Sequence, residues 1–216
     1  MGVRRLSKRK HGLNGLFPSL KTGRMVWFES FLERDFICLL EFDPNVATFA
    51  EQPFTLKYLH LGKSRKYTPD FHVRYAPQRD VLVECKPTAF VETEDNQRKF
   101  AAAQAWCAEG GWTFRVVTEV DVRQEPRLTN IKLLARYARL SVSPQVQSRV
   151  FAALAATPCL SLGQIAQLLE PANPTAAVPG VLHLASRHAI AVALDDAPLS
   201  LETWVTLPSS ASGEGV

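Results

Sequence analysis

The sequence predicts an α/β domain built around a small mixed β-sheet, followed by a smaller, mainly helical module. Two observations predict this order. Before Leu140, short β-like runs alternate with segments whose apolar residues recur every three or four positions, as in strands and amphipathic helices. After Leu140 the chain is rich in Ala, Leu, Ser and Pro and carries few charges, so we place a domain boundary at residues 141–144.

The first domain is predicted to contain, in order, a helix, three strands, a helix, a strand and a helix. Apolar positions between Phe28 and Phe42 follow helical spacing, and the segment ends before Pro44 because residues that precede proline avoid helical angles. Residues 62–65 are predicted to form a turn. The remaining predicted elements are strands at 54–61, 71–75, 80–86 and 113–118 and helices at 93–109 and 127–140.

The second domain is predicted to be a winged-helix-like module over residues 143–207. Helices are expected at 144–156, at 161–169 with Ser161 as its N-cap, and at 175–187. Two strands at 189–194 and 203–207 complete the pattern of three helices and a hairpin. The Ser- and Gly-rich residues 208–216 are predicted to be a disordered tail.

Composition excludes several classes of protein. The 216 residues are 46% hydrophobic and 9% aromatic, as expected of a chain that buries a core. No apolar run is long enough to cross a membrane, and no signal peptide is recognisable, so we expect a cytoplasmic protein without membrane contact. The four cysteines are scattered without metal-ligand spacing, which favours reduced thiols over a disulfide framework or a zinc site.

Charge is distributed unevenly and points to a polyanionic partner. Residues up to 142 include 23 basic and 16 acidic side chains, whereas residues 143–216 include two basic and five acidic ones. Residues 1–24 form a basic arm without acidic side chains, which either contacts DNA phosphates or serves only as a solvated tail. The candidate DNA-binding residues are Arg4, Arg5, Lys8, Arg9 and Lys10 in the arm and Lys63, Arg65 and Lys66 ahead of Asp70.

Two neighbouring predicted strands bring acidic residues and a lysine to one end of the sheet. Asp70 begins one strand, and Glu84 and Lys86 end the next, two positions apart and therefore on one face. Paired carboxylates repel unless a hard cation lies between them, and Mg²⁺ accepts such a set together with water and phosphate oxygens. The alternative is structural: a Glu84–Lys86 ion pair, with Asp70 shaping a Thr-Pro-Asp turn.

Glu33 on the first predicted helix is a third acidic candidate for the same centre. The spacing Ser30-x-x-Glu33 is also that of a capping box. Because the apolar periodicity already begins at Phe28, we expect that Ser30 is not needed as a cap and that Glu33 reaches the metal.

Five spaced motifs in residues 25–140 resemble the TnsA-type transposon endonucleases. They are Phe-Glu-Ser-Phe-Leu-Glu-Arg-Asp-Phe at 28–36, Glu-Phe-Asp-Pro at 41–44, Glu-Gln-Pro at 51–53, Tyr-Thr-Pro-Asp-Phe at 67–71 and Val-Glu-Cys-Lys-Pro at 83–87. The resemblance implies a restriction-endonuclease-like mixed sheet flanked by helices, over residues 25–142. It also implies that Glu33 and Asp70 are the catalytic acids and Lys86 the catalytic lysine, with Glu84 at a position that is glutamine in some members.

The resemblance further implies a function and partners. Such proteins hydrolyse a phosphodiester at transposon ends, on the strand that an integrase-like transposase leaves uncut, and an AAA+ ATPase regulates them. We therefore expect a bacterial, cytoplasmic, Mg²⁺-dependent DNA endonuclease (Mn²⁺ as a substitute) in which Glu33, Asp70 and Glu84 hold the metal and residues 143–207 dock partners. The alternatives are a free-standing restriction or repair nuclease and a non-catalytic DNA-binding assembly factor.

Overall fold

A computed structural model describes residues 14–208 and divides the chain into two compact units, up to Gln124 and from Glu125 onward. The predicted boundary lay after Val142, so residues 125–142 belong to the second unit instead of the first. The predicted tail at 208–216 lies almost wholly outside the described residues.

The elements of the first unit are β1 (Gly15–Pro18), β2 (Met25–Phe28), α1 (Phe31–Phe42), β3 (Val46–Glu51), β4 (Leu56–His60), β5 (Lys63–Tyr67), β6 (Phe71–Tyr75), β7 (Arg79–Cys85), α2 (Thr88–Val91), α3 (Glu94–Glu109), β8 (Thr113–Val117) and α4 (Glu119–Val122).

The centre of the first unit is a four-stranded mixed sheet in the order β3-β6-β7-β8. Strand β6 is antiparallel to both of its neighbours, β3 and β7, and β8 runs parallel to β7. Apolar side chains of α1 pack with one face of the sheet, including Phe71 and Val83, and Ala103 and Cys107 of α3 pack with Leu82 on the other. Both faces of the sheet are therefore covered, which explains why three consecutive residues of β7, Val81 to Val83, are apolar and buried.

Helix α1 begins three residues later than predicted. The hydroxyl of Ser30 accepts a hydrogen bond from the Glu33 backbone N–H, so Ser30 is the N-cap of α1. The expectation that Ser30 is not needed as a cap is therefore wrong. Phe28 belongs to β2, and its side chain is buried with the α1 core, which extended the apolar pattern beyond the helix.

Strands β4 and β5 form a hairpin that places residues 63–65 in a strand. The chain reverses at Leu61 and Gly62, both of which have positive φ angles, +47° and +70°. The predicted turn at 62–65 is thus wrong beyond its first residue. Strand β5, of sequence KSRKY, has little intrinsic preference for a strand, and its pairing with β4 imposes the conformation.

The described part of the predicted basic arm is built into the first unit. Strand β1 pairs with β2, and Arg24 forms a two-pronged ion pair with Glu51 at 2.5–2.7 Å. The Lys21 ammonium donates to the backbone carbonyls of Asp43 and Val46. Lys21 and Arg24 are therefore structural cations, whereas Arg4, Arg5, Lys8, Arg9 and Lys10 lie outside the described residues.

The second unit combines helices with a small antiparallel sheet in the order β10-β11-β9. Helix α6 has the predicted bounds, and Ser161 caps α7 as predicted. The added strand β9 pairs with β11. The elements are α5 (Arg127–Ala135), α6 (Pro144–Ala156), β9 (Leu160–Ser161), α7 (Leu162–Leu169), α8 (Pro174–Ser186), β10 (Ala191–Val192) and β11 (Trp204–Thr206).

Asn130 explains why α5 belongs to the second unit. Its side-chain amide is buried, donates to the carbonyls of Leu194 and Ala197 at 2.8 and 2.9 Å, and accepts from the Leu199 N–H at 2.9 Å. The amide thus satisfies three backbone groups of the segment between β10 and β11 and joins α5 to it.

Asn130→Ala is expected to lower the free energy of unfolding by about 2–4 kcal/mol, because it leaves buried backbone groups without partners. The exposed neighbour Thr129→Ala is the matched control. Chemical denaturation followed by circular dichroism compares the two variants. Equal stability of the two would contradict the role assigned to Asn130.

No helix among residues 14–208 is long and apolar enough to span a membrane. All four cysteines are free, with Cys38, Cys85 and Cys107 buried and Cys159 exposed.

Candidate active site

The register of β6 against β7 brings Asp70 next to Glu84. Phe71 pairs with Val83, so one further step places Asp70, at the start of β6, opposite Glu84 near the end of β7. Residues directly opposite each other in antiparallel strands have neighbouring side chains on one face. Lys86 follows two positions after Glu84, and its backbone N–H donates to the Val117 carbonyl beside it. The pairing of β6 with β7 thus brings Asp70, Glu84 and Lys86 to one end of the sheet, as predicted.

Glu84 is buried and both of its carboxylate oxygens are bonded. The Lys86 ammonium lies 2.7 Å from Oε1, and the Tyr67 hydroxyl donates to Oε2 at 2.7 Å. Only 4% of the surface of Glu84 is exposed, so these two donors replace the water that a carboxylate requires. Tyr67 ends the β4–β5 hairpin, and its bond to Glu84 ties the base of that hairpin to the site.

Asp70 is held by two backbone hydrogen bonds. Its Oδ2 accepts from the Cys85 N–H at 2.8 Å, and its carbonyl accepts from the Gln52 N–H at 2.8 Å. Burial raises the pKa of the Asp70 carboxyl well above its ordinary value, and the charges of Glu84 and Glu33 raise it further against the lowering effect of the Cys85 N–H and of Lys86.

Glu33 lies in the first turn of α1 and has two roles in the structure. Its carboxylate accepts from the Glu29 N–H at 2.8 Å and from the Ser30 hydroxyl at 2.9 Å, as a capping residue does. Burial raises its pKa, and the charges of Glu29 and Glu84 add to this effect while the two hydrogen bonds oppose it. Ser30 is therefore the N-cap of α1, and the start of the helix also lies within electrostatic range of Glu84. The metal-binding role predicted for Glu33 stays a prediction.

Lys86 is the cation of the cluster. Burial lowers the pKa of its ammonium, but Glu84, Asp70 and Glu33 together outweigh burial and raise the pKa above its ordinary value. With all three carboxylates ionised, the four side chains have a net charge of two negative units. A divalent cation would offset that charge.

The donor set fits a hard divalent cation, although the ligands are not pre-assembled. Within residues 14–208, no three His, Cys, Asp or Glu side chains are grouped closely enough to hold a metal. Mg²⁺ commonly uses one or two protein carboxylates and completes its shell with water and substrate phosphates. Asp70 and Glu84, all-oxygen donors that repel each other, meet that requirement, and Glu33 could add a third oxygen ligand.

The candidate DNA-binding residues Lys63, Arg65 and Lys66 all lie on β5 with exposed side chains. They follow one another along the hairpin whose base contacts Glu84 through Tyr67. The structure therefore connects this basic segment directly to the cluster of Glu33, Asp70, Glu84 and Lys86.

Residues 43–119 match the family model described as TnsA-like endonuclease N terminal. This part of the chain is similar to a TnsA-like endonuclease domain. The match includes Asp70, Glu84 and Lys86 and begins after Glu33, which only the structure relates to the other three. It confirms the resemblance inferred from the motifs, and together with the mixed sheet it confirms the restriction-endonuclease-like fold. No curated protein matches the chain.

Two contributors to the site were not assigned roles from the sequence. In the sequence, Tyr67 was only the first residue of the Tyr-Thr-Pro-Asp-Phe motif. Its contact with Glu84 depends on the β4–β5 hairpin, whose base packs against Leu82 of the central sheet. Gln52 holds Asp70 through its backbone N–H, and its side chain donates to Glu29 at 3.1 Å. The positive φ of Gln52, +42°, turns the chain at the end of β3, and only the fold reveals it.

Proposed function

We propose that the protein is the metal-dependent DNA endonuclease subunit of a heteromeric transposase. It cuts, at the ends of a mobile element, the strand that a partner transposase of the integrase type leaves intact. The observation that carries the proposal is the cluster of Asp70, Glu84 and Lys86 within the TnsA-like segment, with Glu33 of α1 in electrostatic range of it.

Asp70 and Glu84 would hold Mg²⁺ or Mn²⁺, with Glu33 as a further ligand from α1. Such a metal, when bound, lowers the pKa of a coordinated water and offsets charge on the phosphate. The protein contributes positions and charge: the Cys85 N–H orients Asp70, and Tyr67 orients Glu84. The Lys86 ammonium, kept protonated by its acidic neighbours, faces the reacting phosphate and stabilises its developing negative charge.

The second unit is proposed to dock protein partners, namely the transposase and an AAA+ ATPase regulator. Residues 143–216 of this unit include two basic and five acidic side chains, which makes that part a poor ligand for DNA phosphates and supports a protein-docking role. The DNA duplex at the element ends would instead contact the first unit. A bacterial cytoplasm is the proposed location, because the element and its transposase act on chromosomal DNA there.

The proposal is tested by reconstituting cleavage with the integrase-type transposase that it requires as a partner. A duplex that spans the end of the element, labelled separately on each strand, is incubated with the protein, the transposase or both, in Mg²⁺ or in EDTA. We expect one strand to be cut only when this chain and Mg²⁺ are present. Cleavage of both strands by the transposase alone would overturn the proposal.

The same assay distinguishes the two alternatives. Mg²⁺-dependent cleavage of unrelated duplexes by the isolated chain would favour a free-standing nuclease. Stimulation of the transposase that persists in Asp70→Ala would favour a non-catalytic assembly factor.

Tyr67→Phe is expected to reduce the cleavage rate by about tenfold, because it removes the hydrogen bond that orients Glu84. Tyr58→Phe, on the preceding strand of the same hairpin, is the matched control. Single-turnover cleavage at saturating Mg²⁺ gives the two rates. If Tyr67→Phe retains the wild-type rate, the hydroxyl contributes only to folding.

A further inference from the structure

The β4–β5 hairpin is anchored at its base and exposed at its tip. Leu56 and Tyr67, which pair across the base, are 5% and 6% exposed and pack with Leu82 of the central sheet. The Tyr67 hydroxyl also bonds Glu84. The hairpin is thus fixed to the candidate active site at one end.

The hairpin is strongly cationic. Residues 52–69 contain no Asp or Glu, and their four Lys and Arg side chains are all exposed. The four are Lys57, Lys63, Arg65 and Lys66. A cationic strand pair without acidic residues is complementary to a phosphate backbone.

The tip carries two leucines that the fold does not use. Leu59 is 79% and Leu61 86% exposed, the two most exposed large hydrophobic side chains among residues 14–208. Leu61 also adopts a φ of +47° in a two-residue turn, where Asn, Asp or Gly is favoured. The leucine therefore strains the turn without contributing to a core, so its apolar side chain requires another explanation.

We propose that this hairpin is a wedge that grips duplex DNA beside the cut site and inserts Leu59 and Leu61 between base pairs. The inference rests on the proposed function, since it takes DNA as the substrate. Apolar side chains inserted from the minor groove unstack base steps and kink the duplex, and flanking cations hold the phosphates. The hairpin combines both elements: exposed leucines at the tip and four cations along the strands.

Strand length sets the position of the distortion. Strand β5 extends from Tyr67 to Lys63, so with the turn the tip lies about 15 Å from Tyr67 at about 3.3 Å per residue. Base pairs are spaced by about 3.4 Å along the duplex. The wedge would therefore act about four or five base pairs from the scissile phosphate, where it would bend the substrate without crowding the cluster around Asp70.

Fluorescence of 2-aminopurine, which increases when the base is unstacked, tests the insertion directly. The full-length chain carrying Asp70→Asn, which prevents cutting, is bound to duplexes with 2-aminopurine placed two to eight base pairs from the predicted cut. We expect the fluorescence to rise several-fold at four or five base pairs. The added pair Leu59→Thr and Leu61→Asn should abolish the rise while strengthening the turn, because Asn tolerates a positive φ and Thr favours strands.

Two further variants separate the wedge from simple charge attraction. Lys57→Gln with Lys66→Gln, which pair across the hairpin on the face of Leu59, should lower the slope of log affinity against log salt by about two, because two phosphate contacts are lost. Val120→Thr, at an exposed apolar position of α4, should leave both readouts unchanged. A fluorescence rise that survives the leucine substitutions, or a salt slope unaffected by the lysine substitutions, would overturn the wedge.

The cleavage assay with the wild-type chain shows whether the wedge or the proposed endonuclease function has failed. If the wild-type chain cuts its strand but the leucine substitutions do not affect base unstacking, only the wedge proposal is wrong. If unstacking depends on the leucines but the reconstituted system cuts no strand, the proposed endonuclease function is wrong. The hairpin would then distort DNA without a cleavage reaction.

Discussion

Asp70→Asn is expected to abolish DNA cleavage and to make the metal-free protein more stable at neutral pH. Cleavage should fall by about 10³-fold or more, since the substitution would remove a charged ligand of the proposed metal. Stability should rise because the neutral amide ends the repulsion by Glu84 and Glu33, while its oxygen can still accept the Cys85 N–H. A gain of about 1 kcal/mol would raise Tm by about 2–4 °C in a chain of this size.

The stability difference should depend on pH in a defined direction. The pKa of Asp70 is raised in the folded state, so the protonated form stabilises the fold at low pH and that stabilisation is lost as the pH rises through the folded pKa. The two proteins should therefore have similar stability near pH 4 and diverge toward pH 8. Thermal melts across this range, with and without Mg²⁺, measure the difference, and Mg²⁺ should raise the Tm of the wild-type protein more than that of the variant.

Asp80→Asn is the matched control, because the fold lowers the pKa of Asp80 whereas it raises that of Asp70. Burial raises the pKa of Asp80, but its contacts with His72 at 2.6 Å and Arg74 at 3.1 Å outweigh burial and lower the pKa. The ionised form thus stabilises the fold above the unfolded pKa, and that stabilisation is lost as the pH falls. Asp80→Asn should lower Tm at neutral pH and leave cleavage intact. If Asp70→Asn lowers Tm in the same way, Asp70 is an ordinary structural carboxylate.

The parts of the fold that were predicted correctly are those with strong local signals. Strand β6 and helix α6 have the predicted bounds, since alternation in one and helical spacing with Pro144 in the other specify them locally. Strand β3 was missed because it is stabilised as the neighbour of β6, distant in the sequence. Strand β5 was missed because its charged residues disfavour a strand, and only its pairing with β4 makes it one.

The site was predictable to the extent that it follows strand ends. Asp70, Glu84 and Lys86 come together because β6 and β7 are adjacent antiparallel strands, which the sequence indicated. The bonds of Glu84 to Tyr67 and of Asp70 to Gln52 were not predictable, because they depend on the hairpin and on a positive φ after β3. The catalytic roles of Asp70, Glu84 and Lys86 stay predictions, which the cleavage experiments test.

The domain boundary illustrates the same distinction. Composition changes near Leu140, but α5 is bound to the second unit by the hydrogen bonds of Asn130. A single buried amide outweighs a compositional trend, because burying its polar atoms without partners would be costly. Sequence composition carries no trace of such a contact.

Lys86→Met is expected to reduce cleavage by about 10²–10³-fold while tightening the binding of Mn²⁺. The loss of rate follows from removing the cation that would face the phosphate. The gain in affinity follows because the ammonium now occupies Glu84 Oε1 at 2.7 Å and repels any metal that approaches. Without it, Glu84 has a free oxygen and the cluster has an additional net negative charge. Mn²⁺ titration calorimetry and single-turnover cleavage measure the two effects on the same preparation.

Opposite changes in metal affinity and rate would distinguish a catalytic lysine from a structural one. A lysine that only neutralises Glu84 would be replaceable by the metal, so its loss would tighten Mn²⁺ binding and leave the rate at saturating metal unchanged. A lysine that only positions Glu84 as a ligand would weaken Mn²⁺ binding when removed. Lys86→Arg is the control: it keeps the charge on a bulkier group, so Mn²⁺ affinity should stay near the wild-type value while the rate falls partway. Because Lys86 is held next to Glu84 by an ion pair that a bound metal would have to share, we expect metal binding to release the lysine toward the phosphate.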